Sequence, residues 1–233
     1  NRCSFCYVPA ELQRGPGSRQ RPHSPRRGKH ENEMPAKKIK RVIDIFSDEA
    51  RVPFFSFTGG EPLLRREIEM LTEYAAGRGL TVNLVSNGTL CTPGRARALR
   101  NAGLASAQVS IEAPEGKSHD SLVGRKGAFS ETLKGIENIQ TAGSPVQTNT
   151  TLNKKNRESV LQMPAFLRSI GIRRFAVNLF IPAGAGLDHR ELFLSYSDAA
   201  PLITQIDREA RRLGMTFFWY SPTPYCIFNP LAS

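Results

Sequence analysis

No stretch of this sequence holds about 18 uninterrupted apolar residues, so a membrane-spanning helix is excluded. Cysteine is scarce: Cys3, Cys6, Cys91 and Cys226 are too few and too unevenly spaced to staple 233 residues through disulfides. Reduced thiols in a cytoplasm, some of them metal-bound, fit that usage. Histidine is equally sparse, and His23, His30 and His189 show no ligand spacing. A starting Met is missing, as is any basic-then-apolar leader, so the chain reads as an internal fragment. Nor is there a break in composition. With 39% hydrophobic and 23% charged residues, the chain reads as one large globular domain.

Positive charge is abundant, and it is local. Residues 11 to 41 hold ten Lys or Arg against Glu11, Glu31 and Glu33, which places +7 of the net +11 in that segment. A basic loop at 11–31 could draw an acidic substrate or nucleic acid. Its Gly, Pro, Ser and Arg content also suits a solvated loop with almost nothing to bury.

Beyond residue 33, amphipathic helices alternate with short apolar strands. Ile39, Val42, Ile43 and Phe46 recur on one helical face behind Pro35. Strands are expected at 52–57, 81–86, 106–112, 145–151 and 174–181, and the apolar run 215–220 closes the sequence. Helices are expected near 66–77, 92–102, 129–142 (Ser130 as N-cap, Gly143 as stop), 157–170 (kinked or started by Pro164) and 198–213. His119 and Asp120 read as part of a solvent-facing turn, with a catalytic dyad as the alternative. Cys91, without a partner nearby in sequence, reads as structural.

Such alternation predicts an α/β fold with a parallel sheet. Several strands carry one polar face: Asn83 and Asn87, then Gln108, Ser110 and Glu112, then Gln147, Asn149 and Thr151. Strands covered by helices on both sides would be apolar throughout. The pattern therefore favours a barrel-like sheet with a polar lumen and a site at the C-terminal ends of the strands.

Two motifs carry the chemistry. Asn1-Arg2-Cys3-Ser4-Phe5-Cys6 contains a Cys-x-x-Cys, which zinc ribbons, redox dithiols and iron–sulfur sites all use. Phe57-Thr58-Gly59-Gly60-Glu61-Pro62 ends a strand with two residues that lack a β-carbon, so a ligand can reach the backbone there. Together they resemble the radical S-adenosylmethionine (SAM) enzymes, whose signature is Cys-x3-Cys-x2-Cys with an aromatic before the last cysteine. Cys3 and Cys6 match the second and third cysteines and Phe5 the aromatic; the first would fall two positions before Asn1. Gly59-Gly60-Glu61-Pro62 matches the Gly-Gly-Glu-Pro motif in full, and Ser86-Asn87-Gly88 and Ser110-Ile111-Glu112 look like the family's polar strand ends.

The resemblance implies a partial (β/α)6 TIM-like barrel over 1–220, its first strand missing from the chain. It implies a 4Fe–4S cluster on Cys3 and Cys6, with one iron left free of protein ligands for SAM. Reductive cleavage of SAM then gives methionine and a 5′-deoxyadenosyl radical that takes hydrogen from a substrate. Gly59, Gly60 and Glu61 would hold the SAM amino group, with Asn87 at the next strand tip. Ser110 and Glu112 would meet its ribose or carboxylate, and Phe5, Asn178 and the Ile181-Pro182 turn its adenine; Arg125 is a further candidate for the carboxylate. Tyr220-Ser221-Pro222-Thr223-Pro224-Tyr225-Cys226 resembles the entry to a SPASM extension over 221–233. Cys226 would there be an auxiliary Fe–S ligand; otherwise it is a lone buried thiol. Expected partners are a flavodoxin or ferredoxin reductant and a peptide, protein or tetrapyrrole substrate, with no membrane and no nucleic acid. Two alternatives remain: a zinc- and nucleic-acid-binding module on Cys3, Cys6 and the basic loop, and a catalytically dead family member.

Overall fold

The computed structural model describes residues 1, 3–6 and 33–227. The basic loop with His23 and His30, and the end of the expected extension, lie outside them. Helix α1 (Ala36–Asp44) starts behind Pro35, buries Ile43 and runs into a π turn, Ile45–Glu49. Six strands follow: β1 (Phe54–Phe57), β2 (Thr81–Ser86), β3 (Leu104–Ser110), β4 (Val146–Leu152), β5 (Arg174–Leu179) and β6 (Thr216–Trp219). Between them lie α2 (Ile68–Gly77), α3 (Pro93–Asn101), α4 (Gly116–Val123), α5 (Ala128–Thr141), α6 (Met163–Ser169) and α7 (Tyr196–Arg212).

Every strand pairs in parallel with the next, so the spatial order is β1-β2-β3-β4-β5-β6. A doubly wound sheet would reverse its strand order at a switch point, and this one does not. The two end strands are not paired with each other. The fold is therefore the open, partial TIM-like barrel that the polar strand faces predicted.

One sheet face is the core: Val82, Leu84, Ala107, Val109, Phe175, Val177 and Leu179 are buried beneath the helices. That desolvation drives the layering, at roughly 25 cal/mol per Å² of apolar surface. The opposite face is polar and bonded sideways. Ser106 Oγ donates to Asn83 Oδ1 (2.9 Å), Gln147 Nε2 to Gln108 Oε1 (3.0 Å), and Asn149 Nδ2 to Asn178 Oδ1 (2.8 Å).

Three local expectations need correction. The turn expected to carry His119 and Asp120 is helix α4, and His119 is buried, not solvent-facing. Ser130 does not cap α5. Gly127 occupies the N-cap at φ +81°, and Asp120 accepts from the Gly127 and Phe129 N–H groups in place of a capping side chain. The helix expected over 157–170 splits into a 3-10 turn, Ser159–Gln162, and α6, in whose first turn Pro164 sits without an N–H to waste.

Candidate active site

The strand tips are fastened to one another by side chains. Glu61 follows the β1 turn, and its carboxylate faces inward. Oε1 accepts from Leu63 N (3.0 Å) and Ser86 Oγ (2.8 Å), and Oε2 from Asn87 N (2.8 Å). The side chain thus ties the β1 tip to the β2 tip, with the Gly59-Gly60 backbone beside it. Both glycines are exposed, Gly59 has φ +135°, and among the described residues a β-carbon at either would meet nothing within 4 Å. Asn87 closes its own turn by accepting from Thr89 N (2.9 Å) and Thr89 Oγ1 (2.7 Å). Behind it α5 approaches so closely that a β-carbon on Gly135 would lie 2.1 Å from the Gly88 carbonyl oxygen.

Glu112 lies just past β3 and is buried, so it offers no exposed carboxylate to the lumen. Its Oε2 accepts from Thr151 N (2.8 Å), its carbonyl from Asn156 Nδ2 (2.9 Å), and its N–H donates to His119 Nδ1 (3.1 Å). Burial pushes the carboxyl up to about 8, against the Thr151 hydrogen bond that lowers it. Ser110 is half-buried on the polar face opposite Asn149, and Asn178 sits in that face bonded to Asn149.

The Cys3–Cys6 turn, closed by Cys6 N donating to the Cys3 carbonyl (3.2 Å), docks at this same end of the sheet. Ser4, between the cysteines, donates from N (3.1 Å) and Oγ (3.2 Å) to the Leu122 carbonyl of α4, and Gly186 N donates to the Cys6 carbonyl (3.2 Å). Phe5 is half-buried in the turn. Burial first, then the charges of Glu112 and Cys6, push the Cys3 thiol up to about 12. Burial and nearby negative charge that disfavour the Cys3 thiolate suit a cationic centre, which removes the thiol proton on binding. Among the described residues no three Cys, His, Asp or Glu form a complete metal site.

Other candidates fall away from the tips. Arg125 pairs with Glu131 and not with a free anion site. Cys91 is buried and its thiol is pushed up to about 11 by burial, as a structural cysteine should be. Cys226 is exposed in the turn after β6, so it is not a buried thiol. The feature that sequence reasoning missed is α4. Leu122 and His119 recur on one helical face there, but Glu115, Gly116, Lys117 and Ser118 disguised them as a loop.

Residues 1–167 match the Radical SAM superfamily, so this chain belongs to that superfamily, whose members use a 4Fe–4S cluster and SAM. The AdoMet-dependent heme synthase of Nitratidesulfovibrio vulgaris is 32% identical over 187 residues, 79% of this chain and 47% of that protein. The same-named protein of Methanosarcina barkeri is 34% identical over 160 residues, 69% of this chain and 46% of that protein. A PqqA peptide cyclase of Methylocella silvestris is 32% identical over 137 residues, 58% of this chain and 37% of that protein. Streptococcus suis SuiB, in its structure with the precursor peptide SuiA, superposes with a TM-score of 0.74 at 17% identity, covering 98% of this chain and 48% of that one. That likeness shows the fold. The chain spans about half the length of the heme synthases it matches. Family membership sets aside the zinc- and nucleic-acid-binding module as a reading of the chain.

Proposed function

We propose that the protein is a radical SAM oxidoreductase that takes hydrogen from a tetrapyrrole or a peptide. The observation that carries this is the docking of the Cys3–Cys6 turn at the strand end that also holds the open Gly59-Gly60 backbone. When bound, the reduced cluster supplies one electron for cleavage of the SAM carbon–sulfur bond. Cys3 and Cys6 would hold that cluster as thiolates. The Gly59 and Gly60 backbone receives the SAM amino group, and Glu61 keeps that turn in place. Ser110 and Asn178 offer neutral hydrogen-bonding groups to the nucleoside, and Phe5 an aromatic face. Glu112 acts by fixing the β3 tip against β4.

The tetrapyrrole reading is the first to test, because the two heme synthases are 32% and 34% identical over 187 and 160 residues, whereas a PqqA peptide cyclase that matches over 232 residues is 26% identical. The +7 segment at 11–41 suits carboxylate side arms. We further infer a barrel over 1–220, a SPASM-type extension beginning at 221 with Cys226 as an auxiliary cluster ligand, a flavodoxin or ferredoxin reductant, and a cytoplasmic site of action. No helix among the described residues is long and apolar enough to cross a membrane. The test is anaerobic reconstitution of the chain extended upstream through the expected first cysteine, followed by SAM and dithionite. Formation of 5′-deoxyadenosine that stops in Cys6→Ala supports the reading; equal product in that variant overturns the ligand assignment.

A further inference from the structure

Helix α4 touches both halves of the site. At its C-terminal end the Leu122 carbonyl takes two hydrogen bonds from Ser4, between the cysteines. One turn earlier, His119 Nδ1 takes the N–H of Glu112 at the β3 tip. The next residue, Asp120, accepts from Phe129 N (2.8 Å) and so fixes the start of α5. A single helix of eight residues, Gly116–Val123, therefore spans the gap between the metal turn and the nucleoside strand.

The chemistry of His119 is well defined. Nδ1 accepts a hydrogen bond and so carries no proton, which makes the ring the neutral Nε2–H tautomer. Nε2 is buried without a hydrogen-bond partner among the described residues, and the ring lies 5.6 Å from that of Phe129, which stacks on Phe166. A buried N–H left unpaired is costly, and His119 accepts it at the expense of Nε2. What that arrangement secures is the Glu112 backbone, whose carbonyl accepts from Asn156 Nδ2 while its carboxylate accepts from Thr151 N.

We propose that His119 is a positioning residue: through Glu112 and the shared helix it sets the cysteine turn against the Ser110–Glu112 tip, and so registers cluster against SAM without touching either. This rests on the cofactor reading above. Losing the Nδ1 acceptor frees the β3 tip to shift while both cysteines stay in place.

The experiment uses the upstream-extended chain, reconstituted without oxygen, as parent, His119→Phe and His119→Asn. Phenylalanine fills the ring's volume without an acceptor, and the Asn Oδ1 can stand where Nδ1 stood. Iron per chain, the melting temperature, SAM affinity by calorimetry and the paramagnetic resonance spectrum of the reduced cluster with and without SAM are measured. All three proteins should hold equal iron. His119→Phe should bind SAM about tenfold more weakly and lose most of the SAM-induced spectral change, the size expected when a supporting hydrogen bond behind a ligand set is removed. His119→Asn should return affinity to within about threefold of the parent. Ile206→Ala, which loosens the core under α7, should lower the melting temperature and leave SAM affinity alone. If His119→Phe fails to fold, Ser4→Ala, at the other end of the same helix, should still weaken SAM binding with iron retained. Parent-like affinity and spectrum in His119→Phe, or in Ser4→Ala where that variant replaces it, overturns the proposal, as does an Asn variant no better than Phe. A parent that binds neither iron nor SAM overturns the cofactor reading, and the proposal with it.

Discussion

Glu61 and Glu112 occupy equivalent places, each just beyond a strand tip, and each was expected to face the cofactor. Both instead reach sideways to a backbone N–H beside a neighbouring strand, Glu61 to Asn87 and Glu112 to Thr151. The difference lies in how they are satisfied. Glu61 accepts three hydrogen bonds at the partly open edge of the turn. Glu112 is buried and accepts one at its carboxylate, so its charged form is disfavoured. A carboxylate in such a motif can thus act as a staple between strands, with the ligand met by bare backbone beside it.

The largest expected effect lies outside the pair and tests whether the site between them is a metal site. Cys3→Ala or Cys6→Ala should abolish iron retention after reconstitution, read as iron and sulfide per chain. Iron equal to the parent in either variant would leave both carboxylates beside a turn that binds something else.

The carboxylates themselves come next. Glu61→Gln replaces an acceptor by a donor that must face another N–H, and should cost about 2 kcal/mol in urea unfolding of the metal-free protein. Glu112→Gln keeps an acceptor for Thr151 N and replaces a carboxyl that must take up a proton to sit in a dry site. It should therefore be neutral or stabilising near pH 7. Equal losses in the two variants would erase the distinction drawn here. Gly135→Ala probes the same tip from behind. With the Gly88 carbonyl 2.1 Å from the new β-carbon, α5 must move off β2, at a cost on the order of 3 kcal/mol.

The sequence made the sheet legible because its strands alternate polar and apolar residues, and the tips because Gly59-Gly60-Glu61-Pro62 leaves a turn few other functions need. It concealed the directions of side chains. Nothing in the order of residues tells that Glu61 folds back to Ser86 and Asn87, since that depends on the register of β1 with β2. Helix α4 was hidden for a different reason. Its eight residues bury only His119, Leu122 and Val123, too short a pattern for periodicity to separate from a loop, and its stability comes from tertiary contacts.

The environment that raises the Glu112 carboxyl lowers its neighbour. Burial pulls His119 down to about 4, from an ordinary value near 6.5. Its contribution is intact above the unfolded value and is lost as pH falls toward the folded one, because the unfolded chain takes the proton first. Parent and His119→Asn should therefore converge in stability, or cross, between pH 7 and pH 4, with a relative loss for the parent of about 3 kcal/mol. A constant difference across that range would mean that the ring titrates normally in the fold.

The smallest change in stability should come from Gly60, next to the staple. Its backbone is not left-handed, and a β-carbon there meets open space. Gly60→Ala should therefore leave unfolding unchanged or raise stability by up to about 1 kcal/mol, through a less flexible unfolded chain. The same methyl group would stand where the ligand is meant to meet bare backbone, so SAM affinity should fall while iron content holds. Glu61→Gln is the mirror image, with stability lost through the staple. If Gly60→Ala kept both its stability and its SAM affinity, the turn would be only a turn, and the binding surface would have to be sought among Ser110, Asn149 and Asn178 on the polar face.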